Sequence, residues 1–467
     1  MKSEVYSSNT VEKIDGPLLF LKRTVDAGLN DAVEVIGDDG HRRLGRVASL
    51  DHEHLIIEVL ESTTGLSLHN IRVRFEGEPL HFNIGPDILG RVLDGVGRPL
   101  DQGPPISAQQ RLRIDGLPIN PVARRKPTDF IETGISSIDL LNSLVRGQKL
   151  PIFSASGLPH DRMATQIAQY ARLRGEAAGR FAVIFTAIGV SHDVSDQFRK
   201  SMENSGALER TVLFLNLASD SSTQRLLAPR YALTAAEYLA YSLDMHVLVI
   251  MTDMTNYCEA LREVSSSHGE VPGRKGYPGY MYSDLAAIFE RAGCIKGISG
   301  TLTQLPILTM PADDITHPIP DLSGYITEGQ IVLDRELDRR NVFPPVKVLP
   351  SLSRLMKDGT GKGFTHADHG ALANQLYASF ARSVHVRLLA SVMGEEGLSD
   401  TDRLYLAFGE QFEMEFIKQE QARSLEQSMD LGWRLLQTIP ITELTRLSDS
   451  QIDRYIRGRE AQHATTG

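Results

Sequence analysis

The stretch Gly147-Gln148-Lys149-Leu150-Pro151-Ile152-Phe153-Ser154-Ala155-Ser156-Gly157-Leu158-Pro159-His160-Asp161 has the layout of a phosphate-binding loop: an apolar run, a turn of small residues, and a helical pattern beginning near Pro159. In a working loop of this kind backbone N–H groups cradle phosphate, a lysine reaches the β- and γ-phosphates, and a hydroxyl holds Mg²⁺. Here the Gly-Lys-Ser/Thr ending reads Gly157-Leu158-Pro159. Leucine carries no ammonium, and proline has neither a hydroxyl nor an N–H, although its fixed φ suits the first turn of a helix. Ser154, Ser156 and Gly157 remain as a polar remnant at a helix N-terminus, able to attract an anion weakly. About a hundred residues on, the run His246-Val247-Leu248-Val249-Ile250-Met251-Thr252 ends in Asp253, where a carboxylate could orient Mg²⁺ or its water. An ordinary helix cap explains Asp253 equally well.

Strands and helices must alternate to hold such a loop. Apolar runs at 150–153, 181–187, 211–217, 246–251 and 301–309 are strand candidates, and helical patterns at 163–174, 231–243 and 283–292 lie between them. That alternation predicts a parallel, helix-covered sheet. Ahead of it, short β-branched or alternating runs at 33–36, 44–50 and 55–59, separated by the turns 37–40 and 62–65, suggest a small closed barrel over 11–77. Glycines and prolines crowd 85–105 and mark a seam. Beyond about residue 356 strand signals stop, and amphipathic patterns at 367–392 and 400–438 predict a helical bundle, with 463–467 frayed. The domains expected are 1–78, 79–355 and 356–467.

The chain has 467 residues, enough for several cores, with 41% hydrophobic and 23% charged residues. Its 49 basic against 59 acidic residues give a net charge of −10, which argues against nucleic acid as the main partner. Cys258 and Cys294 read as small buried hydrophobes in a reducing compartment. The opening MKSEVYSSNT has no apolar core of a signal peptide, and no window reaches membrane-spanning length, so neither secretion nor direct membrane insertion is expected.

Two further stretches are more specific. Pro272 to Leu285 interleaves Tyr277, Tyr280 and Tyr282 with glycine and proline just before a helix, a composition suited to a protein interface. Pro344-Pro345-Val346-Lys347-Val348-Leu349-Pro350-Ser351-Leu352-Ser353 leads a stiff, proline-framed segment into Arg354. Together with Gly90 to Asp101, Phe130 to Asp139, Gly147 to Gly157 and Ile319 to Gln330, in that order, these motifs make the chain resemble the B subunit, the non-catalytic regulatory subunit, of prokaryotic V-type or A/V-type rotary ATPases and ATP synthases.

The resemblance spans about residues 11–460. It implies an α/β core with a RecA-like P-loop NTPase parallel sheet, an N-terminal β-barrel and a C-terminal helical domain. It also implies a cytoplasmic, membrane-peripheral ring in which B subunits alternate with catalytic A subunits around a central stalk, braced by a peripheral stalk and coupled to H⁺ or Na⁺ transport. ATP or ADP with Mg²⁺ would sit at the interface with the A subunit, and the chain's own site would be weak or empty. Arg354 matches the family's arginine finger, which enters the neighbour's catalytic pocket. Catalytic members carry a water-positioning glutamate at the position of Val190. Ala155 stands for a glycine, Ser267 to Glu270 for an Ala-Arg-Glu-Glu type stretch, and Lys347 for an asparagine. Competing readings are a self-sufficient RecA-like ATPase of the export or helicase type, and a scaffold that has lost its catalytic partner. The apolar or proline residues at 158, 159 and 190 argue against the first.

Overall fold

The computed structural model describes residues 5–6, 11–116, 119–174 and 180–457; the expected fraying of 463–467 lies outside them. The chain forms two compact units, one drawn from 1–119, 182–243 and 251–291, the other from 120–181, 244–250 and 292–467.

The first unit opens with a seven-stranded antiparallel sheet in the order Val5–Tyr6, Arg72–Pro79, Asp31–Ile36, Arg42–Leu50, His54–Val59, Leu18–Lys22, Val11–Asp15. Alternation decides which side chains turn inward: Val33 and Val35 join Leu19, Leu21, Val47, Leu55, Ile57 and Val73 in one apolar core. The same unit holds Phe181–Val190, Thr211–Leu217 and Val92–Asp94 as parallel neighbours, in that order. Its helices are His192–Ser205, Ser222–Glu237, Met254–Ser267 and Met281–Phe289. The pattern read at 231–243 begins earlier than expected, because the helix runs through Pro229 and closes in a π turn, Tyr238–Ser242.

In the second unit the central strand Ile152–Ala155 lies parallel between Thr301–Met310 and Gly329–Leu333. All four of its residues are buried, as both-face-covered strands require. The proline-framed segment is itself a strand, Val346–Ser353, antiparallel to Gly329–Leu333 and, among the described residues, paired on that side only. An edge position tolerates Pro350, which has no donor to offer. The helix after the loop is His160–Tyr170, shorter than the 163–174 pattern, since Ala171 turns extended and Arg172 exchanges backbone hydrogen bonds with Glu132.

Three long helices among the described residues, His369–Met393, Asp400–Gln411 and Leu425–Leu436, build most of the C-terminal part. The pattern at 400–438 is therefore interrupted. A π turn at Phe412–Ile417 ends the first helix, Gln419 spends its amide on Gly134 O and Ser136 N, and Ser424 restarts the second with a reciprocal cap from Gln427. Phe380, Phe408, Phe412, Phe416 and Trp433 share one core with Phe130, Leu140, Val342 and Val348. Among the described residues no helix is long and apolar enough to cross a membrane.

Candidate functional site: a closed loop and an exposed arginine

The loop is built as a phosphate cradle, with the side chain at the lysine position packed into the protein. Gly157 takes φ +80°, the left-handed turn that only glycine adopts without strain. Leu158, in the lysine's place, is 4% exposed, so its side chain is part of the packing. Its N–H donates to Ala155 O at 3.1 Å and that of His160 donates to Leu158 O at 2.8 Å, so both donors turn back onto the loop. Pro159 is the N-cap and offers no side-chain cap. Asp161, in the helix's first turn, sets a carboxylate at the end of the helix that would attract an anion.

Three residues that the sequence did not single out complete the closure. Ser154 Oγ meets His160 Nδ1 at 3.0 Å. Arg335 Nη2 donates to Ser156 O at 2.9 Å while its guanidinium grips Asp313 in two bonds of 2.9 and 3.0 Å. That grip holds the Asp313 carboxyl below its usual range. Asp313 and Ala312 both sit at positive φ, 57° and 56°, a strained turn that aims the carboxylate at Arg335. On the helix flank Arg162 stacks on Phe343, 3.8 Å from the ring centroid. With Leu158 and Pro159 standing where the ammonium and the metal-holding hydroxyl belong, and the Leu158 and His160 N–H groups bonded within the loop, the loop lacks the two side chains that would hold a Mg²⁺-nucleotide.

Arg354 is held differently. Its N–H donates to Glu328 O at 3.0 Å, and its Nη1 donates to Thr327 O at 3.4 Å. The residue is exposed, while Ser353 before it is buried and donates Oγ–H to Ser143 O at 2.9 Å. Gly329, opposite Ser353, has φ +132°; a Cβ there would stand 2.0 Å from Leu352 O, so only glycine permits this close pairing. The result is a guanidinium projecting from a rigid strand end. Lys347, where an asparagine was expected, pairs with Asp334 at 2.8 Å, and Asp334 caps the helix Arg335–Arg339.

The remaining candidates lie in the first unit. Asp253 is the N-cap of Met254–Ser267, accepting the Thr255 N–H at 2.8 Å, as the simple-cap reading expects. Val190 is buried at the end of its strand. In the tyrosine loop Tyr277 is buried and donates to Glu259, whereas Tyr280 and Tyr282 face solvent. Among the described residues no cluster of three or more His, Cys, Asp or Glu could hold a metal.

Comparison with known proteins bears directly on this arrangement. Residues 134–353 match the nucleotide-binding domain of the ATP synthase alpha/beta family, 11–77 its beta-barrel domain, and 358–456 the C-terminal domain of V and A type ATP synthase. The V-type ATP synthase beta chain of Halothermothrix orenii is 54% identical over 450 residues, 96% of this chain and 97% of that protein. This chain belongs to the V-type ATP synthase beta-chain family. A solved relative, the ATP synthase subunit NeqB from Nanoarcheaum equitans, is 37% identical, covers 91% of this chain and 100% of its own, and superposes with a TM-score of 0.73. As a family member the chain is a subunit of a rotary ATPase complex with a barrel, a nucleotide-binding α/β domain and a helical C-terminal domain. The closed loop is thus a feature of a beta chain whose fold is that of nucleotide-binding relatives.

Proposed function

We propose that this chain is the non-catalytic, regulatory B subunit of its complex, alternating with catalytic A subunits in a ring whose turnover is coupled to H⁺ or Na⁺ transport. The carrying observation is Leu158, buried where a phosphoryl-transfer site needs an ammonium. Pro159 and the buried Val190 remove the metal-holding hydroxyl and the water-positioning carboxylate, so the chain alone has no means of driving the reaction. Its contribution is Arg354, exposed on a rigid strand end and therefore available to a neighbour. As charge builds on the transferring phosphoryl oxygens, an in-trans guanidinium adds planar donors beyond those of the partner's lysine and Mg²⁺. The Mg²⁺-nucleotide accordingly belongs at the interface with the A subunit. Under this reading 1–78 forms the barrel crown, 79–355 the ring body and 356–467 the part facing the central stalk, with the peripheral stalk as a further partner.

Mixing the purified chain with a catalytic subunit that carries an intact Gly-Lys-Ser or Gly-Lys-Thr loop tests the reading. The chain alone is expected to hydrolyse no ATP, and the assembled ring to turn over. Steady turnover by the chain alone, abolished by Asp253→Ala, contradicts it.

A further inference from the structure

A buried polar cluster joins the strand that feeds the closed loop to the backbone that carries Arg354. Gln148 is fully buried, four residues before that strand. Its Nε2 donates to Glu328 O at 3.1 Å and to Ser353 Oγ at 3.0 Å, and its Oε1 accepts the Val145 N–H at 3.0 Å. The same Glu328 oxygen accepts the N–H of Arg354 at 3.0 Å. The Glu328 carboxylate is pinned in turn, by Lys149 N at 2.7 Å and by the buried Lys149 ammonium at 2.8 Å. The peptide from which Arg354 hangs is therefore held from three directions by the segment 148–149.

We infer that Gln148, with Glu328 and Ser353, is a positioning residue for Arg354, tying its backbone to the root of the closed loop. The inference rests on reading Arg354 as the group that acts in trans. Arginine puts its guanidinium at the end of a long flexible side chain, so its reach depends on where the backbone stands. A displacement of about 1 Å costs on the order of 10²-fold in rate. The cluster does what such a site needs: Gln148 and Ser353 are buried and hydrogen-bonded, and Gln148 Nε2 bonds both Ser353 Oγ and the Glu328 oxygen that accepts the Arg354 N–H. The side chain at 148 needs two donors and an acceptor in one plane, which glutamine supplies and its near-isostere methionine does not.

The test uses the assembled ring and five variants: Gln148→Met, Arg354→Ala, the double variant, and Ser353→Ala compared with Ser353→Thr. Positioning predicts that Gln148→Met lowers kcat for ATP hydrolysis about 10- to 100-fold, leaves KM and ring assembly unchanged, and adds nothing to Arg354→Ala, since both act through one guanidinium. Ser353→Ala reproduces part of the loss and Ser353→Thr, which keeps the hydroxyl, restores it; this pair decides the matter if Gln148→Met does not fold. Arg354→Ala with normal turnover overturns the reading of Arg354 itself. Arg354→Ala inactive, with Gln148→Met or Ser353→Ala fully active or additive with it, leaves the finger standing and overturns the positioning role.

Discussion

At the scale of single residues, the account turns on Leu158 doing structural rather than chemical work. Buried, it contributes by exclusion of water and by packing. Leu158→Ala should cost about 2 to 5 kcal/mol in denaturant unfolding, the range for truncating a packed leucine; a change below about 0.5 kcal/mol, typical of surface sites, contradicts the packing role. Calorimetry on the isolated chain is expected to find ATP binding that is weak and nearly independent of Mg²⁺, because the loop has neither the lysine nor the metal-holding hydroxyl and the Leu158 and His160 N–H groups face its own carbonyls. Sub-micromolar, Mg²⁺-dependent binding at this site contradicts that. The loss of lysine and hydroxyl was legible in the sequence, since it is written in residue types at fixed spacing. The grip of Arg335 on Ser156 and Asp313 was not, because it joins residues 179 and 22 positions apart and depends on how strands come together.

At the scale of elements, apolar runs such as Thr211–Leu217 were readable to the residue because they are buried along nearly their whole length. The edge strand Val346–Ser353 was not, since Pro350 within it and Pro344-Pro345 before it speak for an irregular segment, and its place at the margin of the sheet makes Pro350 harmless. The break at Lys418–Ser424 was equally hidden: the apolar period continues on both sides, and the interruption is made by Gln419 bonding to Gly134 and Ser136. The long helix His369–Met393 begins with a titration that the fold depends on. His369 is buried, Nε2–H donates to Leu140 O at 2.9 Å, and Nδ1 accepts from the Thr365 hydroxyl at 3.0 Å. Burial pushes its pKa down to about 4, and the positive helix end it occupies disfavours a cation further. Its neutral form is favoured in the folded chain, so this stabilisation is complete above about pH 6.5, the ordinary histidine value, and is lost as pH falls toward 4. His246, bonded to Arg146 and Thr301 and pushed by burial to about 4, adds in the same direction. Urea unfolding should therefore show lower stability near pH 5 than near pH 7.5. His369→Gln, whose amide can still donate to Leu140 O, should narrow that gap; an unchanged gap contradicts the assignment.

At the scale of the whole molecule, the composition shift from short alternating strands to strand-helix alternation to helix made the barrel, α/β and helical parts readable in order. What the sequence did not reveal is how tightly the helical part is fused to its neighbours. Glu132 accepts the Leu425 N–H, Gln419 binds the turn at Gly134, and Trp433 shares a core with Phe130 and Leu140. These contacts tie the helical part to the segment that precedes the closed loop. The central claim, that the chain has surrendered its own chemistry and lends one guanidinium to a neighbour, is tested most directly at Arg354. In a ring assembled with the catalytic subunit, Arg354→Ala should lower ATP turnover by roughly 10³- to 10⁵-fold, about 4 to 7 kcal/mol, with assembly and nucleotide binding by the partner intact. Arg354→Lys should recover little, because an ammonium lacks the planar fork. An Arg354→Ala ring that assembles normally and keeps more than about a tenth of wild-type turnover contradicts the account and makes Arg354 a surface arginine at a subunit seam.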